Sequence, residues 1–390
     1  MTGQRMNLLF IVNSLGIGGA EKQVVSLVNQ LDPARFRLAL AYLKPDHALL
    51  EQLDLRQLEL GLSHAGVRRR IDFGAVRRIA DQLQRGAIDL LVCVNPFSLL
   101  YGHLAQRIAG SRCRIVELFH STLPSGLRDH LHMAFYRPVI ARTDMLVYVC
   151  ASQRRFWRAR SLHARQEAVI HNGVDVGHFQ DHAEAGEKKL GRACHGFAAD
   201  DLLIGLCAAM RPEKAHVDLL DALVRLRAGG LRVNALLIGD GPQRDLIERQ
   251  IAARQLQRQV TITGYLGDVR SAIGLCDAMA IVSHSVETFS IAALEAMAMS
   301  KPMIMSDIGG ASEQVRHGEN GFLFPAGDVI RLADAIRQLH DRDLAHRLGA
   351  RARQRVVMSY SLPTMVAAYA QLFSHLCHKP VPALESPHAR

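Results

Sequence analysis

From residue 7 onward, short apolar runs rich in β-branched residues alternate with longer helical patterns, and the alternation occurs twice. LLFIV precedes AEKQVVSLVNQL, RLALAYL precedes a helical stretch through residue 80, and DLLVCV, RCRIVELFH, MLVYVC and AVIHN follow. Such a rhythm builds βαβ units on a parallel sheet. A second series starts with DLLIGLCAAM at 201 and continues through HVDLLDALVRLRAG, VNALLIG, RDLIERQIAARQL, VTITG, AMAIVS, a helix near 290–299 and PMIMSD. The chain is therefore expected to be α/β, with two tandem doubly wound, Rossmann-like domains facing across a cleft. Its 390 residues suit that number, at about 150 residues per domain. The expected divisions are a first domain at 1–174, a polar linker at 175–200, a second domain at 201–358, a C-terminal helix at 359–377 packing back toward the first domain, and a flexible tail at 378–390. Ligands in such folds bind outside the carboxyl ends of the strands, which places the site in the cleft.

With 49% hydrophobic and 22% charged residues, the chain is neither wholly disordered, nor collagen, nor a coiled coil. No stretch reaches the ~18 uninterrupted apolar residues of a membrane-spanning helix. Asn13, Ser14 and Glu21 interrupt LLFIV as a leader. Seven scattered cysteines with no C-x-x-C pair read mostly as small buried apolar residues in a reducing compartment. The expected location is cytoplasmic. Residues 1–170 hold 23 Lys and Arg against 13 Asp and Glu, whereas the remaining 220 hold 24 of each. The imbalance lies wholly in the front half and bears on partners, not on fold.

Gly16, Gly18 and Gly19 follow the first strand and precede a helix starting near Ala20. Glycines there let backbone approach a ligand, and the free N–H groups of a helix start favour phosphate. The spacing is G-x-G-G followed by Glu21, not the dinucleotide fingerprint, and RLALAYL ends in Lys44 where NAD would require an acidic ribose partner. A tight turn with no ligand fits the three glycines equally well. Arg211-Pro212-Glu213-Lys214 follows the first strand of the second series. A guanidinium fork beside a lysine suits a diphosphate, although such tetrapeptides are also common solvated turns. Glu287 and Glu295 stand eight residues apart, a span of ~12 Å along a helix that suits two ends of a nucleotide sugar. Eight helical steps of ~100° do not return to one face, so Glu287 belongs to a loop and Glu295 to the following helix. The N–H groups of Phe289, Ser290 and Ile291 are then expected to point at phosphates between the two carboxylates.

The segment 283–314 resembles the retaining glycosyltransferases of family 4, which have the GT-B architecture. It carries Glu287, seven residues, Glu295 and Ala296-Met297, then Lys301-Pro302, Asp307, Gly309-Gly310 and Glu313, with HGENGFLF following at 317–324. Upstream, GGAE (18–21), HNGVD (171–175), RPEK (211–214) and GDGP (239–242) occur in the family's order. The resemblance spans about residues 7–375. It implies that Glu287 holds hydroxyls of the transferred sugar, Glu295 the nucleotide ribose, Arg211 and Lys214 the diphosphate, and Gly18 and Gly19 the phosphate side from across the cleft. It also places His120, at the end of RIVELFH, beside the reacting carbon. On the sequence alone, a histidine capping a strand is the better reading. One departure matters: many relatives carry Gly-Arg five residues before the lysine, where this chain has Ala208-Ala209. Arg211 is therefore assigned the phosphates.

The resemblance implies transfer of a hexosyl group from a UDP-sugar or GDP-sugar to a hydroxyl of a glycan or lipid-linked acceptor, with retention of configuration. The setting it implies is cell-surface polysaccharide or glycolipid synthesis. No cofactor or metal is expected, since the lone Asp-x-Asp, Asp341-Arg342-Asp343, falls inside a late helical pattern. Arg68, Arg69, Arg70, Arg77 and Arg78 surround Ile71 and Phe73, and Arg154, Arg155, Arg158 and Arg160 surround Phe156 and Trp157. These clusters read either as solvated helix faces or as a peripheral contact with the anionic inner face of a membrane. A sugar-nucleotide epimerase or phosphorylase on the same scaffold is the nearer alternative. A nucleic-acid-binding protein is more distant, because 5% aromatics leave little for base stacking.

Overall fold

The computed structural model describes residues 5–120, 127–182, 184–285 and 287–377. The tail expected over 378–390 lies outside them. Seven parallel strands form the first sheet: β1 (Met6–Val12), β2 (Phe36–Tyr42), β3 (Gly61–His64), β4 (Leu90–Val94), β5 (Arg114–Phe119), β6 (Met145–Tyr148) and β7 (Glu167–Val169), in the order β3-β2-β1-β4-β5-β6-β7. The second sheet has six: β8 (Leu202–Cys207), β9 (Val233–Ile238), β10 (Val260–Gly264), β11 (Ala278–Ile281), β12 (Met303–Ser306) and β13 (Gly321–Phe324), in the order β10-β9-β8-β11-β12-β13. Both orders reverse direction beside their first strand, at β1/β4 and β8/β11, where a crevice opens at the carboxyl ends.

Helices cover both faces of each sheet, so the central strands are sealed on either side. Leu8 to Ile11 and Leu90 to Cys93 are all 0% exposed, which is why they read as continuous apolar runs. The helix Phe73–Arg85 starts where Asp72 accepts the Ala75 N–H at 3.1 Å, and it buries the stripe Ala75, Val76, Ile79, Ala80 and Leu83. Trp157, expected among interfacial aromatics, is instead a core residue at 1% exposure, edge-on to Phe119.

The 175–200 segment corrects the expected linker. Helix Ala185–Cys194 opens on a capping box between Glu184 and Glu187. Its Arg192 donates to the Leu275 carbonyl at 2.9 and 2.7 Å and to Asp277 at 2.9 Å, while Asp181 pairs with Lys188 and Lys301. The segment is polar because ionic contacts fasten it to the second domain. The crossing narrows to the neighbourhood of Val174, whose N–H donates to the Tyr360 carbonyl at 3.0 Å and whose carbonyl accepts the Leu362 N–H at 2.8 Å. Both passages between the domains thus run side by side. Beyond them, helix Leu362–Cys377 lies on the first sheet, with Phe373 edge-on to Phe10 and Phe36 at 6.2 and 6.4 Å.

Candidate active site between the domains

The carboxyl ends of the two sheets enclose a cleft of about 390 Å³. Gly19, Ala20, His120, Val149 and Asn172 line it from the first domain; Ala208, Ala209, Arg211, Lys214, Ser283 and the residues from Glu287 to Ala292 line it from the second. Most of the residues nominated from the sequence meet here.

β8 ends at the switch point and runs into the turn Pro212–Lys214. Gly239 and Gly241 have φ of 140° and 156°, and Cβ atoms there would stand 2.3 Å from the Ala208 carbonyl oxygen and 2.7 Å from that of Met210. The GDGP glycines therefore let the loop after β9 press directly under the RPEK turn. Lys214 Nζ lies 2.7 Å from Glu287 Oε2, the pair being 23% and 12% exposed, and the Ser283 hydroxyl donates to the same oxygen at 3.2 Å. Arg211 is exposed on the rim. Ala209 lines the cleft beside it.

Glu287 belongs to the loop and Glu295 to the helix Ile291–Ala298, which Ser290 caps by accepting the Ala293 N–H at 3.3 Å. Gly309, at φ 56°, shapes the loop from behind, and the Gly310 N–H holds the Thr288 carbonyl at 2.8 Å. One expectation needs correction. The Ser290 N–H does not face a phosphate, because it donates to Gln314 Oε1 at 3.0 Å while Gln314 Nε2 donates to the Ser290 carbonyl at 2.8 Å. Among the described residues the N–H groups of Phe289, Ile291 and Ala292 find no acceptor, and all three residues line the cleft. These are the open donors at the helix start.

Glu295 stands farther along that helix, beside Cys207 and facing Lys22 of the first domain. Burial pushes its carboxyl up to about 7, with Lys22 opposing the shift. Gly19 lies on the cleft wall, where an added Cβ would come 3.1 Å from Ile291 Cδ1 across the domain boundary. Gly18 is not among the lining residues, and an added Cβ there would stand 2.2 Å from Glu21 Oε2. His120 is anchored by its backbone N–H to Asn95 Oδ1 at 2.9 Å. Among the described residues its Nε2 is enclosed without a partner, and burial brings the imidazole down to about 4. A neutral ring of that basicity offers a hydrogen bond at pH 7 but is a weak proton acceptor.

Sequence reasoning missed Asn172, Gln314 and Ser283. It quoted HNGVD and the sequel to the paired glutamates without giving those side chains work. Asp341 caps helix Arg342–Ser359 by accepting the Leu344 N–H at 3.0 Å, so the Asp-x-Asp is built into a helix start.

Residues 188–355 match the family model described as glycosyl transferases group 1, and residues 17–178 match that of glycosyltransferase family 4. The chain is similar to the N-acetyl-alpha-D-glucosaminyl L-malate synthase of Bacillus anthracis, at 25% identity over 77% of this chain and 78% of that protein. It is also similar to the phosphatidyl-myo-inositol mannosyltransferase of Mycobacterium leprae, at 25% identity over 91% and 92%. Its fold is like that of Anabaena Alr3699/HepE in complex with UDP-glucose, with a TM-score of 0.79 and 25% identity over 95% of this chain and 100% of that one. A glycosyltransferase from Rickettsia africae ESF-5 superposes at a TM-score of 0.82 and 18% identity, covering 96% and 99%. Two family models that between them take in both halves of the molecule, on a fold held in common with these structures, leave one assignment: the chain is a glycosyltransferase of family 4, with the GT-B architecture.

Proposed function

We propose that the protein moves a hexosyl group from a UDP-sugar or GDP-sugar to a hydroxyl of a glycan or lipid-linked acceptor, with retention of configuration and without a metal ion. The observation that carries this reading is the convergence of Arg211, Lys214, Glu287 and the open N–H groups of Ile291 and Ala292 on one cleft wall, opposite His120. Breaking the donor bond leaves negative charge on the diphosphate and positive character on the sugar carbon. The cations and N–H groups are fixed where the first develops. Glu287, already engaged by Lys214 and Ser283, suits hydroxyl binding better than nucleophilic attack. The acceptor then attacks from the face the diphosphate leaves, and the departing phosphate takes its proton. His120 contributes a hydrogen bond to sugar or acceptor.

Polysaccharide or glycolipid synthesis is the setting we favour, given relatives whose names include a phosphatidyl-myo-inositol mannosyltransferase. The named relatives are transferases and synthases, which favours transfer over epimerisation or phosphorolysis. The test is turnover of UDP-sugars and GDP-sugars with hydroxyl acceptors, reading the product anomer by NMR. An inverted product overturns retention, and activity lost on chelation and restored by manganese overturns metal independence. A donor converted to an epimer or sugar phosphate without any acceptor overturns transfer itself.

Glu295 gives the donor site a pH signature. If its carboxylate accepts the ribose hydroxyls, nucleotide affinity weakens as pH falls through about 7, approaching tenfold per unit. Glu295→Gln is expected to flatten that profile in calorimetric titrations. A flat profile for the unaltered chain would remove Glu295 from the ribose.

We place the protein in the cytoplasm, resting on the inner face of the membrane through its first domain. Ile71 and Phe73 are 42% and 65% exposed, and Leu131 and Phe135, at 64% and 45%, stand on helix Leu127–Ile140 with the Arg70 guanidinium 5.2 Å from the Phe135 ring centroid. Apolar side chains among arginines fit anionic headgroups. Among the described residues no helix is long and apolar enough to cross a membrane. Flotation is expected with vesicles containing phosphatidylglycerol and not with phosphatidylcholine alone, and Phe73→Ser should weaken it; flotation indifferent to lipid charge overturns the placement.

A further inference from the structure

We infer that Asn172 is a positioning residue through which the first domain sets the diphosphate-binding peptides of the second, so that the anion cradle is assembled by both domains. The inference rests on the nucleotide-sugar reading above.

A loop N–H can be aimed at a ligand only when its peptide plane is fixed, and each plane is fixed by what its carbonyl and its N–H meet. Three planes follow one another between Thr288 and Ile291. The Thr288 carbonyl accepts the Gly310 N–H at 2.8 Å and the Cys150 thiol at 3.3 Å. The Phe289 carbonyl accepts Asn172 Nδ2 at 3.1 Å, while the N–H of the same plane, that of Ser290, donates to Gln314. The Ser290 carbonyl accepts Gln314 Nε2, and the N–H of its plane is that of Ile291, open on the cleft. Gripped on their far side, the planes turn their remaining donors toward the phosphate position.

The grips come from different domains. Gly310 and Gln314 belong to the second; Cys150 and Asn172 belong to the first. Asn172 is 5% exposed, and its position is rigid. Gln23, one turn into the helix that follows the glycine loop, donates to the Gly173 carbonyl and accepts the Gly173 N–H, both at 2.9 Å. A side chain at Gly173 would meet Met365 Cβ at 2.9 Å and Leu362 Cα at 3.0 Å, so the stalk is also packed against the returning passage between the domains. Separating the domains withdraws the Asn172 amide from Phe289 and leaves the middle plane, which lies between the Phe289 and Ile291 donors, held by Gln314 alone. By linkage, whatever binds the cradle favours closure, and a nucleoside without phosphates does not.

The experiment is calorimetric titration of the full chain with UDP, GDP, uridine and guanosine. Asn172→Ala is expected to weaken the diphosphate by about tenfold while leaving the matching nucleoside within about twofold. Asn172→Asp, of the same size but without a donor, and Gln314→Met, of similar volume, are expected to show the same selective loss; they carry the test if Asn172→Ala lacks a thermal unfolding transition. Equal losses for diphosphate and nucleoside, or undiminished diphosphate binding in folded variants, overturn the inference while the donor reading stands. An unaltered chain that binds neither diphosphate overturns the donor reading, and this inference with it.

Discussion

Lys214→Ala is expected to lower kcat/KM for sugar transfer about a thousandfold, whereas Arg211→Ala is expected to lower it about tenfold. Lys214 has two tasks that no neighbour can assume. Its ammonium is a fixed positive charge at the cleft, and it neutralises Glu287 at 2.7 Å in a largely water-free setting. Its removal takes charge from the leaving diphosphate and, among the described residues, leaves Glu287 with only the Ser283 hydroxyl. Breaking a buried pair from one side costs about 3–5 kcal/mol because the surviving charge is uncompensated. Lys214→Arg is not expected to rescue, since a planar fork cannot occupy the place of a point charge. Arg211 stands in water at the rim, where screening weakens its pull on the donor. Steady-state kinetics with a saturating acceptor check both values. Unchanged donor affinity in Arg211→Ala, beside its loss in Lys214→Ala, would return Arg211 to the solvated turn and leave the family arginine absent at Ala209 without a substitute.

The second large effect is on stability. Glu117 lies in the middle of β5, 0% exposed, aligned with Cys93 of β4 and Leu146 of β6, and neither carboxyl oxygen has a partner among the described residues. Burial holds the carboxyl well above its ordinary 4.5, and burial together with Glu117 raises the Cys93 thiol. The folded chain keeps a proton that the unfolded chain releases once pH exceeds 4.5. The stabilisation from this group is therefore complete below that pH and lost progressively as pH rises toward the folded value, the opposite of a salt-bridged carboxylate. Glu117→Met, which preserves volume and removes the stranded polar atoms, is expected to raise stability at neutral pH by about 1–3 kcal/mol and to flatten the decline on the alkaline side. Thermal unfolding across a pH series reads both, and a variant less stable than its parent throughout would sink the reading.

Much of the fold could be read from the chain because its signals are local. LLFIV, DLLVCV and VNALLIG announce sealed central strands, and the eight-position step from Glu287 to Glu295 is enough to assign one to a loop and the other to a helix. What stayed hidden depends on partners remote in sequence. The Ser290 N–H is spent on an amide 24 residues away, and the Phe289 carbonyl on one 117 residues away. No periodicity encodes either. Residues 184–194 read as a linker because helix Ala185–Cys194 is held by ionic contacts: its one buried residue is Arg192, and Leu190 is left 68% exposed. Trp157 misled in the other direction: arginines beside it in sequence spread around a helix, and only one face of that helix meets the core.

The closing helix reverses the order in which the two halves reach completion. Phe10 and Phe36 are made early during synthesis, yet the ring that seals them belongs to residue 373. On the ribosome the leading half must wait with an apolar flank uncovered until that helix has been made. Cutting the gene between the halves would strand the front piece without its lid, whereas supplying 362–377 as a separate peptide would offer a way to restore it.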